Sequence, residues 1–447
     1  MSDQKTMNRW LVVVGALLIQ ISLGAIYIYS VFKPGLKEAF PNWSDTDLAL
    51  PSQLVIAFFA CATIVAGRVQ DKVGPKWVAT TGAILLGIGM TVASYANSLA
   101  MFVIGFSIIG GIGIGTAYVC PIATCVKWFP DKRGLITGLA VAGFGAGAIV
   151  FTPVAKSFIA NFGAMSTFLY LGLIFLVAVI IGAQLMINPP AGYKPAGWNP
   201  PAPAAGSATA AKADYTWSEM LKTPQFWLLW LTYFAGSSAG LMVIMNITNV
   251  WQSCSMLELI GSYSVGPLPK DICSNLLAQG AAAVMIVSVL NAGGRIGWGK
   301  ISDVIGRKTA LIIMFLYSGI IMLLLSLFTS YPLYIFGVAS VGFCFGGFLA
   351  LYPAVTTDYF GTANVGVNYG FVFTAYGAGG LFGPWLAPKL MVVVQKIQYE
   401  TVDRAGQILI KVYNAGNYKM AFVISGVMCL VSLFLIWGLK PPSVKGK

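Results

Sequence analysis

The chain has 447 residues, 57% of them hydrophobic and only 9% charged, with a mean hydropathy of +0.80. Soluble domains carry about 25% charged residues, so the composition excludes a soluble protein and describes an integral membrane one. The net charge of +13 comes from basic residues in short segments between apolar runs, a pattern that sets membrane topology and does not build a nucleic-acid surface. Seven cysteines without ligand spacing and no histidine give no metal site, and no cofactor is implied.

An apolar helix needs about 20 residues to cross a bilayer. Runs of that kind near 10–32, 48–69, 77–95, 99–126, 135–158, 165–187, 225–251, 276–298, 309–329, 332–356, 366–391 and 419–438 predict twelve transmembrane spans. The first is long enough to cross and has no small-residue cleavage site after it, so a cleavable leader is not expected. Residues 188–223 are biased to Pro, Ala and Gly and read as a flexible cytoplasmic linker. The expected organisation is a six-helix bundle over 1–187, the linker, and a second bundle over 224–447.

With both termini inside, the inner segments hold 17 Lys and Arg and the outer segments nine, five of these in or beside the long loop between spans 11 and 12. Arg295 is the remaining one of 27. The asymmetry places both termini in the cytoplasm of a cell with this protein in its inner membrane. The glycine-rich stretch 110–118, GGIGIGTAY, loosely matches a dinucleotide fingerprint. It lies inside an apolar run with no strand before it, so close helix packing is the reading taken. The same holds for 143–153 and 377–384.

The two halves repeat. Gly67, Asp71, Gly74 and Lys76 in GRVQDKVGPK return 232 positions later as Gly299, Asp303, Gly306 and Lys308 in GKISDVIGRK. Gly138, Gly145 and Gly147 return at the same offset as Gly370, Gly377 and Gly379. One offset shared by two separated motifs is hard to obtain by chance, and parallel repeats of six spans characterise the major facilitator superfamily, which binds substrate between them. The loop motif in both halves resembles that superfamily's signature, with Val304 replacing a usual basic residue in the second copy. Asp71 and Asp303 are expected to act in a cytoplasmic gate, with Arg133 in WFPDKRG as a candidate partner of Asp71.

Where the halves differ, the scaffold alone does not require the residue. Arg295 corresponds to Thr63 and Tyr376 to Phe144. A charge within a span costs at least roughly 2.5–3.5 kcal/mol, so Arg295 calls for a function. At 1.5 Å per residue it lies roughly 12 Å from the inner loop, in the same band as Tyr376 and Tyr118, and Asn291 is one turn away on its face. Tyr27, Tyr29 and Tyr352 are further polar-tipped aromatics on spans 1 and 10. All 14 acidic residues fall in loops, tails or span ends, which leaves a permanent cation among hydroxyl and amide groups: a site for an anion, since Arg forks onto a carboxylate. The competing reading is an arginine that snorkels or satisfies backbone carbonyls.

GAIYIYSVFKPGL, KWFPDKRGLITG, NAGGRIGWGKISDVIGRK and YPAVTTDYFGTANVGVNYG together resemble the oxalate/formate antiporter family, related to monocarboxylate transporters. The resemblance implies an all-α fold of two six-helix pseudo-symmetric bundles. It also implies that Arg295 binds a substrate carboxylate; depth and helix face make Asn291, Tyr118, Tyr376, Tyr27 and Tyr352 its candidate neighbours. The oxalate–formate antiporter of that family carries a second cation, a lysine, where this chain has Tyr376, and Phe144, Phe345 and Phe373 replace its hydroxyl or indole groups. One cation balances a monocarboxylate and leaves dianionic oxalate with an unpaired charge. Lactate, formate, acetate or pyruvate is therefore the expected substrate class, by symport, exchange or uniport. Proton-coupled monocarboxylate transporters place an aspartate at the position of Asn291, so a co-transported proton has no obvious carrier here.

A channel would need a continuous polar path, and an enzyme a nucleophile with its base or a metal. Neither is present in the spans. Oxalate–formate exchange and a transporter-like carboxylate sensor remain as alternatives. The expected partners are the carboxylate and membrane lipid, for a monomer. Cys254 and Cys273 enclose 18 residues of an outer loop that a disulfide could close for roughly 3 kcal/mol; two free thiols are the alternative.

Overall fold

The computed structural model describes residues 7–190, 192–195, 214–260, 267–402 and 408–442. Among them, ten helical segments are long and apolar enough to cross a membrane. One of these, Arg133–Gln184, is broken at Gly163, whose φ of 79° interrupts the helix and separates spans 5 and 6. Val365–Leu390 is also long enough, although its glycines, tyrosines and prolines lower its hydropathy. The twelve expected spans are accounted for.

Span 1 runs over Arg9–Ala39 and tightens to a 3₁₀ turn at Gly24–Ile28. Span 2 (Asp45–Val73) starts at a capping box made by Ser44 and Asp47, which satisfies donors a helix start otherwise leaves open. Gly74 (φ 97°) ends it and Pro75 opens span 3, Pro75–Ser94. Span 4 (Leu99–Trp128) includes a π-helical stretch at Val103–Ile109. In the second half, span 7 is Pro224–Ile260 and span 8 is Lys270–Ile305. Span 8 ends on Gly306 (φ 88°), the repeat counterpart of Gly74. Spans 9 to 12 are Arg307–Leu324, Tyr331–Phe360, Val365–Leu390 and Lys419–Trp437.

The halves meet where span 2 packs on span 11 and span 5 on span 8. Two glycine contacts, again related by the repeat, set this closeness. A Cβ on Gly67 would strike the Gly366 carbonyl, and one on Gly299 would strike that of Gly134. Small residues that let backbones touch are how membrane helices associate without a hydrophobic driving force.

The long loop after span 11 is not irregular. Strands β1 (Val392–Val402) and β2 (Ile408–Asn417) form an antiparallel hairpin. β1 also takes in Leu268, whose N–H donates to the Gln398 carbonyl while its own carbonyl accepts from Glu400 N–H, each at 2.9 Å. The Tyr413 hydroxyl donates to the Asn249 carbonyl of span 7 at 3.1 Å. Burial pushes that phenol up to about 12, so it remains a donor at neutral pH.

Of the two readings of Cys254 and Cys273, the structure has the second: both are free thiols and no disulfide joins them. Span 7 continues as helix to Ile260, which puts Cys254 on a helix side near Tyr413 and Tyr418. Cys273 instead lies in the first turn of span 8, with its thiol 4.0 Å from the Leu268 carbonyl.

Candidate functional site

Arg295 is fully buried in the last third of span 8, ten residues before its end. Its Nε donates to Asn291 Oδ1 at 3.0 Å, the contact that an i, i+4 spacing makes available. Asn291 is itself oriented by donating Nδ2 to the Gly342 carbonyl of span 10 at 3.2 Å. The guanidinium Nη1 reaches across the seam and donates to the Val141 carbonyl of span 5 at 2.6 Å. Nη2 is buried and has no hydrogen-bond partner. Arg295 is the only charged side chain among the buried described residues, and no carboxylate pairs with it.

Room for this guanidinium comes from glycine. A Cβ on Gly145 would lie 3.2 Å from Arg295 Cζ, and one on Gly138 would run into the Arg295 carbonyl. Gly370 meets the Thr63 carbonyl in the same way, so the repeat keeps the packing and changes only the side chain it accommodates.

Aromatic rings close the remaining sides. Tyr118 packs edge-on against Phe59 and Phe144, with centroids at 4.9 and 5.2 Å, and against Phe373 at 4.9 Å. Tyr376 stacks on Phe373 at 4.8 Å. Its hydroxyl meets that of Tyr27 at 2.7 Å, a bond between spans 1 and 11 and therefore between the halves. Arg295, Tyr118 and Tyr376 are each no more than 1% exposed, so the centre is closed in this conformation.

Tyr352 does not join this group. Its hydroxyl donates to Thr232 Oγ1 at 2.7 Å inside the second bundle, and its ring stacks on Tyr233 at 4.1 Å, one layer behind the seam. Tyr29 likewise turns away, donating to the Leu48 carbonyl at 3.0 Å. In their place stand two residues the sequence reading missed, Tyr233 and Tyr369. Their hydroxyls are buried, lie close to that of Tyr118, and are outside hydrogen-bond geometry. Tyr369 falls opposite Thr137 in the repeat, so the comparison that singled out Arg295 could have found it. For span 7 the same offset would place Tyr233 on Met1, and the signal is absent.

At the end of the molecule where spans 2, 5, 8 and 11 meet, two carboxylates grip two helix starts. Asp71 accepts from the Gly366 and Val367 N–H groups of span 11 at 3.2 and 2.9 Å. Asp303 accepts from those of Gly134 and Leu135 of span 5 at 3.0 and 2.9 Å. All six residues are related by the 232-residue offset. A carboxylate at a helix N-terminus satisfies open donors and the positive end of the helix dipole together. Arg133 does not pair with Asp71 as anticipated. It bonds Asp358 at 2.9 Å, which also accepts from Arg307 at 3.1 Å, while Lys127 lies 3.7 Å from Asp71. Being occupied by backbone, Asp71 leaves Arg133 free to reach span 10. Asp214 steadies the span 11 start by accepting from Thr362 and Ala363 N–H at 2.8 and 2.9 Å.

The model of the Major Facilitator Superfamily matches residues 15–384, and again residues 253–447. The chain belongs to this superfamily. It is 28% identical over 396 residues to the oxalate:formate antiporter of Oxalobacter formigenes, covering 86% of this chain and 85% of that protein. It is 26% identical over 419 residues to apicoplast pyruvate carrier 1 of Toxoplasma gondii, covering 81% and 72%. The fold is similar to the solved structure of the proton:xylose symporter XylE, with a TM-score of 0.62 and 14% identity over 97% of this chain and 96% of that one. Such proteins are transporters and not enzymes, and this chain is a multi-pass membrane transporter of the same superfamily.

Proposed function

We propose that this transporter moves small monocarboxylate anions, of the lactate, formate, acetate or pyruvate class, across the cell inner membrane by alternating access, with Arg295 pairing the carboxylate. The observation that carries this reading is the unpartnered Nη2 of Arg295, a buried permanent donor with no counter-ion. A buried charge left unpaired costs several kcal/mol, and a substrate carboxylate relieves that cost when it binds. Asn291 holds the guanidinium. Tyr118, Tyr369, Tyr233 and the Tyr27–Tyr376 pair supply hydroxyls, and Phe59, Phe144 and Phe373 fit an alkyl group.

Residues 1–187 and 224–447 act as the two bundles that rock about this centre, joined by 188–223, with both termini cytoplasmic. Asp71 and Asp303 close the cytoplasmic side. The similarity to a pyruvate carrier and to an oxalate:formate antiporter agrees with a carboxylate substrate. A single buried cation favours a monoanion over oxalate, which keeps oxalate–formate exchange as the second reading. Counterflow of labelled lactate in proteoliposomes tests the proposal. Accumulation that disappears in Arg295→Ala supports it. Absence of counterflow with every monocarboxylate of the class would remove it in favour of oxalate exchange or a sensing role.

A further inference from the structure

The surface formed by spans 2, 3 and 4 carries a groove of about 410 Å³ that opens toward the bilayer, away from Arg295. Cys61, Val65 and Val69 of span 2, Thr81 of span 3, and Ile112 and Thr116 of span 4 are among its walls. The Thr81 and Thr116 hydroxyls donate back to carbonyls of their own helices at 3.0 and 2.7 Å, so they leave the walls apolar. From Phe58 to Val69 the span 2 wall covers twelve residues, a rise of about 16 Å. That is about half the hydrocarbon thickness of a bilayer, or one leaflet.

Helical spacing carries both long walls to a basic rim. Lys72 follows Val69 by three residues, and Arg68 follows Val65 by three; both are exposed. On span 3, Trp77 precedes Thr81 by four and is 63% exposed, with Lys76 Nζ 5.6 Å from its ring centroid. Arg68, Lys72 and Lys76 form no ion pair among the described residues.

The second half does not repeat this arrangement, although the scaffold does. Val65 becomes Gly297 and Gly111 becomes Phe343. The Phe343 ring fills the corresponding space, 3.3 Å from a Cβ built on Gly297. Lys72 becomes Val304, and Lys308, the counterpart of Lys76, donates to the Trp437 carbonyl at 2.6 Å. Lys300 keeps the charge of Arg68, so the second half loses the groove together with one cation and the freedom of another, and packing of the shared scaffold does not require the groove.

We propose that this groove is a binding site for an anionic phospholipid of the leaflet on the linker side, with an acyl chain along span 2 and the phosphate held by Arg68, Lys72 and Lys76. Hydrocarbon is what the bilayer offers to an apolar groove, and clustered basic residues at the membrane surface select anionic headgroups. Trp77 is suited to the interfacial depth between them. The site does not depend on which anion the transporter moves.

Cys61 lies in the groove and is exposed, while the other six cysteines are buried or half-buried. Its alkylation by a maleimide, followed by mass spectrometry of the purified full-length protein in detergent, reports occupancy. Phosphatidylglycerol should protect Cys61 at concentrations at least about tenfold below those needed of phosphatidylcholine. Lys72→Gln and Arg68→Gln should each reduce that preference by roughly fivefold, whereas Lys308→Gln should not alter it. Native mass spectrometry supplies a second readout: Ala62→Trp, which fills the groove, should lose the retained phosphatidylglycerol seen in the parent protein. Equal protection by the two lipids, no protection by either, or retention unchanged by Ala62→Trp would each overturn the proposal.

Discussion

Arg295 on span 8 donates from Nη1 to the main-chain carbonyl of Val141 on span 5, 2.6 Å away and in the other half of the molecule. The same guanidinium that leaves Nη2 free therefore also ties the halves together. Nη1 carries two N–H groups, so on the proposed reading a carboxylate can fork onto Nη1 and Nη2 directly beside the seam contact to Val141.

Loss of that guanidinium should be severe. Arg295→Ala removes a buried charge-assisted contact whose loss costs about 2–5 kcal/mol, or roughly 30-fold or more in affinity. Arg295→Lys keeps the charge but loses the planar fork and the Nε contact to Asn291, and should also fail. Uptake of labelled lactate, normalised to protein in the membrane, is the measurement. Wild-type uptake by Arg295→Ala would remove the site assignment.

Asn291→Asp tests the counter-ion argument from the other side. The substitution is nearly isosteric and places a carboxylate 3.0 Å from Arg295 Nε. That internal anion competes with substrate, so uptake near neutrality should fall at least about tenfold. Acidification, which neutralises the new carboxyl, should restore it. The sign is opposite to that expected of a merely structural defect, for which acid offers no rescue. A pH profile parallel to wild type would count against an anion site at Arg295.

The spans were legible because length and hydropathy decide whether a helix crosses a bilayer, and the repeat because glycine contacts at the seam tolerate no Cβ. Arg295 was legible as a charge with no packing reason. What was missed lies in side-chain direction. Tyr352 and Tyr233 stack on each other in the second bundle, and only the packing reveals which of the two lies nearer Tyr118. The hairpin was missed for a different reason. VVVQKIQYETV and ILIKVYNAGN are rich in β-branched and aromatic residues, a strand signal hidden by reading that stretch only as a loop between spans.

Tyr376→Lys addresses substrate charge. Tyr376 is buried beside Phe373 and bonds Tyr27, so a lysine there adds a second cation close to the centre and breaks one contact between the halves. Oxalate should then compete with labelled monocarboxylate, while wild type resists it. Competition by oxalate in the wild type would defeat the one-cation argument. A folded variant indifferent to oxalate would show that position 376 does not face the substrate.

The two carboxylates at the seam between spans 2, 5, 8 and 11 make the last prediction. Asp71 and Asp303 each receive two N–H groups from the helix start opposite, and each must let go for that side to open. Replacing a carboxylate at a helix N-terminus by a neutral amide forfeits about 1 kcal/mol, roughly a fivefold shift toward the open form. Asp71→Asn and Asp303→Asn should therefore each enlarge the open population by about that factor. The double variant should multiply the effects, because the carboxylates grip different helices. Spin labels at Lys72 and Val304, which are repeat counterparts in opposite halves and both exposed, report the separation directly. Each substitution should move weight from the short to the long distance. An unchanged distribution in the double variant would mean that these carboxylates do not hold the seam closed, whatever the anion site does.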